Sequence, residues 1–304
     1  MRVLYPDRGL AYLCQLLGKS RQAYYQNRQS QHSDLAFGKV VAELVIDIRK
    51  YVDNDRLGAR KLLPLVNEQL QLDGLCIGRD QLLDIMDTYG LKVRQRRRRS
   101  PRTTDNTHGF YRYPNLLKNK GLTHAEQAWV SDITYLRVKG RFMYLSLITD
   151  AWSRKIMGFH LHGDLSVEGS VKALLMAISN RQYPNRRLIH HSDQGVQYCA
   201  HSYITLLKSD GITISMASKG SPHENALAER INGILKQEYG LGKPIDSEER
   251  ARQMVEMAVL SYNTKRPHHS LQGQTPQQVH CADKWEQDYK QNLTSQSSNT
   301  KQPV

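Results

Sequence analysis

The chain has 304 residues, with 43 Lys and Arg against 29 Asp and Glu, for a formal charge of +14. That balance favours a polyanionic partner, for which nucleic acid is the usual choice. Cys14, Cys76, Cys199 and Cys281 stand far apart, which argues against a Cys-x-x-Cys zinc site or a disulfide framework and suits a reducing cytosol. No apolar run approaches the ~20 residues of a membrane span, and the N-terminus lacks a signal-peptide core.

The basic excess is shared. Residues 1–108 carry 19 basic and 12 acidic residues, and residues 109–304 carry 24 and 17, as two surfaces along one polyanion would. The first ~30 residues predict a helix–turn–helix. Leu10, Leu13, Leu16 and Leu17 have helical spacing, Gly18 can end that helix and Ser20 can cap the next. Arg21 and Gln22 then open a second helix, where a recognition helix meets base edges; an ordinary helical hairpin fits the pattern equally well. Phe37, Val40, Val41, Leu44 and Ile48 predict a further helix. Two more are expected over Gly58 to Leu70 and Arg79 to Thr88, the latter closed by Gly90. Lys92 to Arg102 then holds seven basic residues and no acid, with Arg96, Arg97, Arg98 and Arg99 consecutive. Such a run is extended by self-repulsion and releases counterions beside a phosphate backbone.

From about Leu122 the period becomes strand-like. Strands are expected at Ala128 to Val138, Phe142 to Thr149, Lys155 to Leu161, Arg187 to His191 and Ile212 to Met216, with a turn at Lys139-Gly140. Val167 to Ser179 and Ala200 to Leu207 predict helices. Ser221, Pro222 and Glu224 predict a capping box with a proline start for a helix carrying Leu227, Ile231, Ile234 and Leu235 on one face and Glu229 nearly opposite. The order is β-β-β-α-β-α-β-α, an α/β fold. After about Asp288 nothing remains to bury, and a disordered tail is expected. The expected domains are therefore a helical DNA-binding region over 1–91, a basic linker over 92–121, a core over 122–288 and a tail over 289–304.

Three carboxylates carry the chemistry. Asp132 lies inside a strand, Asp193 just after another, and Glu229 on the capped helix. An unpaired Asp inside an apolar strand is expensive, so it implies a metal, a partner or a shifted pKa. A solvated Glu opposite an apolar stripe is commonplace. Divalent cations held by such a set stabilise the attacking and leaving oxygens of a phosphodiester. Lys236, seven residues past Glu229, projects from the same face and could hold a phosphate. Asp150 is a rival carboxylate, for which opening the turn to Arg154 is the plainer account. His190, His191 and His223 are read as local hydrogen-bonders. No P-loop, Gly-x-Ser-x-Gly or His-Glu-x-x-His motif is present.

Several segments, in order, resemble the integrase-core (DDE-type) transposases of bacterial insertion sequences, closest to the OrfB-type proteins of the insertion-sequence-three group. They are Trp129-Val-Ser-Asp-Ile-Thr-Tyr135, Tyr144-Leu-Ser-Leu-Ile-Thr-Asp-Ala-Trp-Ser-Arg154, His191-Ser-Asp-Gln-Gly195, Asn225-Ala-Leu-Ala-Glu229 through Lys236, and Tyr262-Asn-Thr-Lys-Arg-Pro-His268 with Thr275-Pro276. The resemblance implies an RNase H-like core with a mixed five-stranded sheet, preceded by an all-α DNA-binding region. It implies that Asp132, Asp193 and Glu229 are both catalytic and metal-binding, holding two Mg²⁺ (or Mn²⁺), with Asp150 outside the set. It implies cleavage at the element's ends and transfer of the 3′-hydroxyl into target DNA by a nucleoid-associated bacterial protein. The expected partners are terminal inverted repeats, target DNA, further copies of the chain, and an upstream frameshift-fusion partner. No sustained heptad is visible, so the chain is expected to be the downstream product. The alternatives are a DNA-binding regulator inactive without that fusion partner, and a stand-alone nuclease.

Overall fold

The computed structural model describes residues 20–93, 110–118, 120–218 and 222–282, together with residues 11, 14, 15 and 18. The chain divides into two compact units, one over Met1–Tyr51 and Leu57–Arg94, the other over Val52–Arg56 and Gln95–Val304.

The first unit contains α1 (Arg21–Tyr51), α2 (Ala59–Leu70) and α3 (Arg79–Thr88), which pack against one another. Val41, Val45, Leu62, Val66, Leu82 and Met86 are buried, each contributing roughly 1.5–3 kcal/mol of transfer free energy. The expected recognition helix and the Phe37–Ile48 stripe are not separate elements but one helix of 31 residues. The polar run between them has no apolar period, yet no proline or glycine interrupts it before Gly38, so nothing stops helix propagation. Arg21 is exposed in its first turn. Gly18 adopts a left-handed φ of 64°, as a helix terminator does; Leu10, Leu13, Leu16 and Leu17 lie outside the described residues. Gly90, also left-handed, closes α3, with the Leu91 amide donating to Met86 O at 2.7 Å.

The second unit is built on β1 (Ala128–Val138), β2 (Arg141–Asp150), β3 (Ile156–His162), β4 (Ile189–Ser192) and β5 (Thr213–Met216). Their order in the sheet is β3-β2-β1-β4-β5. The first three form an antiparallel meander, while β4 runs parallel to both β1 and β5. Lys139 and Gly140, both with positive φ, make the two-residue hairpin between β1 and β2, the geometry that matches strand twist. The helices are α4 (Val167–Ser179), α5 (Val196–Cys199), α6 (His201–Ser209), α7 (Ala226–Glu238), α8 (Glu248–Thr264) and α9 (Pro276–Cys281). Alternation along the strands splits the core in two. Trp129, Ile148 and Met157 pack with Leu174, Tyr203 and Leu207 of α4 and α6. Leu136, Met143 and Leu145 pack with Ile231, Leu235, Val255 and Tyr262 of α7 and α8. A Cβ on Gly158 would stand 2.1 Å from Ala173 O, so this glycine lets α4 lie directly on β3. A mixed sheet of this order with helices on both faces is the RNase H-like arrangement.

Two local expectations change. The segment read as linker up to residue 121 is docked before it ends: the Leu116 amide donates to Ser215 Oγ at 2.9 Å and Pro114 O accepts from the Met216 amide. The helix expected to open on a Ser221 capping box begins as a 3-10 turn, Pro222–Asn225, and becomes α-helical at Ala226. Glu224 accepts from the Ser218 amide at 2.6 Å, so its carboxylate is committed to the preceding loop. Ser221 lies outside the described residues.

Candidate active site

The strand register brings the two aspartates together. β1 and β4 pair in parallel with Val130 opposite His191. Two residues further along stand Asp132, within β1, and Asp193, the first residue after β4. Because side chains alternate, Asp132 returns to the face occupied by Val130, and Asp193 stands close enough to raise its carboxyl. The spacing in the chain therefore matters less than this register. A pocket of about 250 Å³ has both aspartates in its wall.

Pairing with β4 ends there, which leaves the remaining edge of β1 open. The helix α7 and the chain after it take that edge. Asn225 Nδ2 donates to Ser131 O at 3.0 Å, Asn232 Nδ2 to Asp132 Oδ2 at 2.7 Å, and the Ile245 amide to Arg137 O at 2.9 Å. Asn225, Glu229, Asn232 and Lys236 follow at helical intervals of four, three and four, so they form one stripe. Glu229 thus sits between two asparagines anchored on β1. Lys236 Nζ lies 4.1 Å from the centroid of the Tyr135 ring, a cation–π distance.

The electrostatics follow from this crowding. Burial pushes the Asp132 carboxyl up to about 7; Asp193 and, less strongly, Glu229 add repulsion, opposed by the hydrogen bonds from Asn232 and the Ile133 amide. Asp193 Oδ1 accepts from the Gly195 amide at 3.0 Å. A Cβ on Gly195 would stand 3.0 Å from that same oxygen, so only glycine leaves the carboxylate undisturbed. Glu229 is exposed and does not line the pocket. Among the described residues, no three His, Cys, Asp or Glu side chains are close enough together to hold one metal ion. The structure therefore joins Asp132 to Asp193 in one pocket and leaves Glu229 in their field but outside it.

Asp150 has a different surrounding. It is fully buried and accepts from the Ser153 amide at 2.7 Å, Ser153 Oγ at 2.8 Å and the Glu126 amide at 2.7 Å. It builds the turn after β2. His190 bonds Ser131 Oγ at 2.7 Å and the Tyr203 hydroxyl at 2.9 Å, and burial, with His191 beside it, holds it down at about 3. His191 bonds Ser215 Oγ at 2.8 Å. Both are local structural groups; the side chain of His223 and the whole of Arg96 to Arg99 lie outside the described residues. Among the described residues no helix is long and apolar enough to cross a membrane.

With this geometry in place, comparison with known proteins is informative. The integrase core domain family matches residues 122–222, and a second integrase core family matches residues 210–276. An insertion element IS600 31 kDa protein from Shigella sonnei is 31% identical over 266 residues, covering 87% of this chain and 96% of that protein. The chain belongs to the insertion-sequence transposases with an integrase core. The transposase InsF for insertion sequence IS3A of Escherichia coli (strain K12) is 28% identical over 270 residues, covering 88% and 92% of the two chains. The HTLV-2 integrase catalytic core domain aligns at 20% identity and a TM-score of 0.43, over 53% of this chain and 99% of that one.

Within this transposase the roles of Asn225 and Asn232 have little sequence signal, because their partners lie on β1, about a hundred residues upstream. Their spacing from Glu229 is the only local sign. The Tyr262-to-His268 segment, which helps carry the family resemblance, is structural here. Asn263 accepts from the Ile156 amide and donates to Ile156 O, both at 2.9 Å, behaving as an extra strand residue at the β3 edge. Arg266 forms a buried two-point pair with Glu238, both contacts 2.8 Å, and Asn54 Nδ2 donates to the same carboxylate at 3.1 Å.

Proposed function

We propose that this transposase cuts DNA at the ends of its element and joins the freed 3′-hydroxyl to target DNA at the Asp132–Asp193 pocket. The observation that carries the reading is the β1–β4 register, which sets two carboxylates in one wall with Asp132 destabilised as an anion. Such a pair favours a bound cation, because a cation removes the repulsion that raises Asp132.

The donor set fits Mg²⁺ or Mn²⁺: hard carboxylate oxygens, with room for DNA phosphate oxygens to fill the remaining positions. Asn232 Oδ1, beside Asp132, is buried with no hydrogen-bond partner among the described residues, an acceptor that would suit a cation-bound water. Asp132 and Asp193 would hold the ion or ions, and Glu229 would join when its side chain turns inward along the α7 stripe. Two such cations, held by these carboxylates, would supply charge stabilisation for the attacking and leaving oxygens. Asn232 orients Asp132, and Gly195 orients Asp193. Lys236, over the ring of Tyr135, would meet a phosphate, with Arg21 and the Arg96–Arg99 run adding further phosphate contacts. Terminal inverted repeats, a pair of chains bridging two ends, and an upstream fusion partner belong to the same reading.

The test is strand transfer of a labelled element end in Mg²⁺. Asp132→Asn and Asp193→Asn should abolish joined product while end binding survives. Persistent joining by either variant would sink the reading. A stand-alone nuclease would give cut but never joined DNA.

A further inference from the structure

We propose that the pocket beside Asp132 and Asp193 is a nucleobase site, taking one unpaired base of the DNA end being processed. This rests on the function proposed above and adds a ligand to its site. The pocket continues from the two carboxylates onto Tyr135, Tyr144, Gln197 and Tyr198. Tyr135 and Tyr144 are directly opposed on neighbouring strands, so their side chains stand together on one sheet face. At about 250 Å³ the space is below the usual range for small-molecule sites. It has room for a single nucleobase.

The second observation is Tyr198. The residue is 3% exposed, and its buried hydroxyl has no hydrogen-bond partner among the described residues. Leaving such a group unmade costs about 1–3 kcal/mol, and native structures ordinarily avoid it. Its ring is locked edge-on against Tyr203, with centroids 5.4 Å apart, so the hydroxyl cannot simply swing to solvent. Burial, Tyr203 and the two aspartates raise its pKa well above the ordinary value, so it remains a donor. Every base edge offers acceptors to such a donor. Gln197 Nε2 is tied to Leu165 O at 2.8 Å, which fixes this wall. Lys236, on the ring of Tyr135, places a cation where the phosphate of the inserted nucleotide would lie. Enzymes that take a base from the stack hold it this way, between aromatic walls with an edge hydrogen bond.

The experiment uses the full chain and duplexes bearing the element's terminal sequence, with 2-aminopurine placed singly at each of the last nucleotides. In EDTA, binding should change the emission at one terminal position and leave internal positions unchanged. Because no chemistry occurs there, this arm reads the pocket even if the catalytic assignment is wrong. In Mg²⁺, Tyr198→Phe keeps the ring and removes only the donor. It should lower strand transfer about five- to tenfold on an intact end, the worth of one hydrogen bond, and cause no further loss on an end made abasic at the reporting nucleotide. Three results would overturn the proposal: no terminal position responding, equal loss on intact and abasic ends, or no loss on the intact end. The last would make the hydroxyl a water-bridged structural group. An unchanged thermal melt for Tyr198→Phe separates these outcomes from misfolding.

Discussion

Asp132 and Asp150 lie on neighbouring antiparallel strands, three register positions apart, since Trp129 is opposite Asp150 and Asp132 opposite Leu147. Both come from apolar runs, and burial raises both carboxyls. Their neighbours differ in sign. Around Asp150 stand two amides, a hydroxyl and His280, all of which favour the anion. Around Asp132 stand Asn232 and one amide against two further carboxylates. One site surrounds its carboxylate with groups that favour the anion, and the other keeps a carboxylate repelled by its neighbours, the feature on which the proposed metal site rests. That contrast separates a structural acid from a metal-ready one better than burial does.

The largest effect expected from this contrast is on chemistry. Asp193→Asn should cost at least about 10²–10³-fold in strand transfer, the range for removing one preorganised electrostatic contact. Asp150→Asn should leave the rate per folded molecule unchanged. Single-turnover joining, normalised to folded protein, decides between them.

On stability the order reverses. Asn at position 150 must turn its amide hydrogens toward at least one of three donors, so Asp150→Asn should lose about 2–3 kcal/mol. Asp132→Asn removes a repelled charge and should stabilise the metal-free protein at pH 8. The sign follows from linkage. The folded pKa of about 7 lies above the ordinary value of about 3.9, so between them the folded state holds the proton more tightly. The contribution of Asp132 is therefore most favourable in acid and is lost as pH rises through about 4 to 7. Urea midpoints of wild type and Asp132→Asn should converge at low pH and separate above 7. A gap that is widest in acid would invert the assignment.

Much of the core was readable before the fold was known. Ala128 to Val138 and Val167 to Ser179 are found with the expected ends, because β-branched runs and a clean helical period each fix a local state. Asp193 does follow the fourth strand, as expected. What could not be read was anything set by pairing at a distance. Register alone decides that Asp132 meets Asp193, and the open edge of β1 alone decides where α7 lies. The same holds for Gly158, whose role depends on how closely Ala173 approaches. The merged helix α1 shows the opposite failure: apolar period was absent between Gln26 and Ser33, yet helix persists wherever no breaker stops it. Glu229 was legible as a helix residue opposite an apolar face but not as one standing outside the pocket, since side-chain placement has no sequence signal.

A smaller effect, again on one side of the contrast, is expected at Asn232. Asn232→Ala removes the orienting donor to Asp132 without touching the carboxylate itself. Loss of such a supporting contact typically costs 10–100-fold in metal affinity or activity. Raising Mg²⁺ should recover part of the loss if orientation is the cause. A defect unmoved by Mg²⁺ would instead mean that Asn232 serves only to hold α7 on β1.

The smallest effect concerns Lys236, where the proposed metal site would meet DNA. Its ammonium is held over Tyr135, and that ring is itself braced edge-on by Phe142 at 4.9 Å. A cation fixed in this way contacts a phosphate with little entropy left to lose. Lys236→Gln should weaken end binding uniformly across sequences and make the dependence of log K on log salt shallower by about one. Tyr135→Leu keeps the charge, so the salt slope should stay as in wild type while binding weakens through loss of the ammonium's seat and of one pocket wall. Equal slopes for wild type and Lys236→Gln would mean that the ammonium makes no phosphate contact.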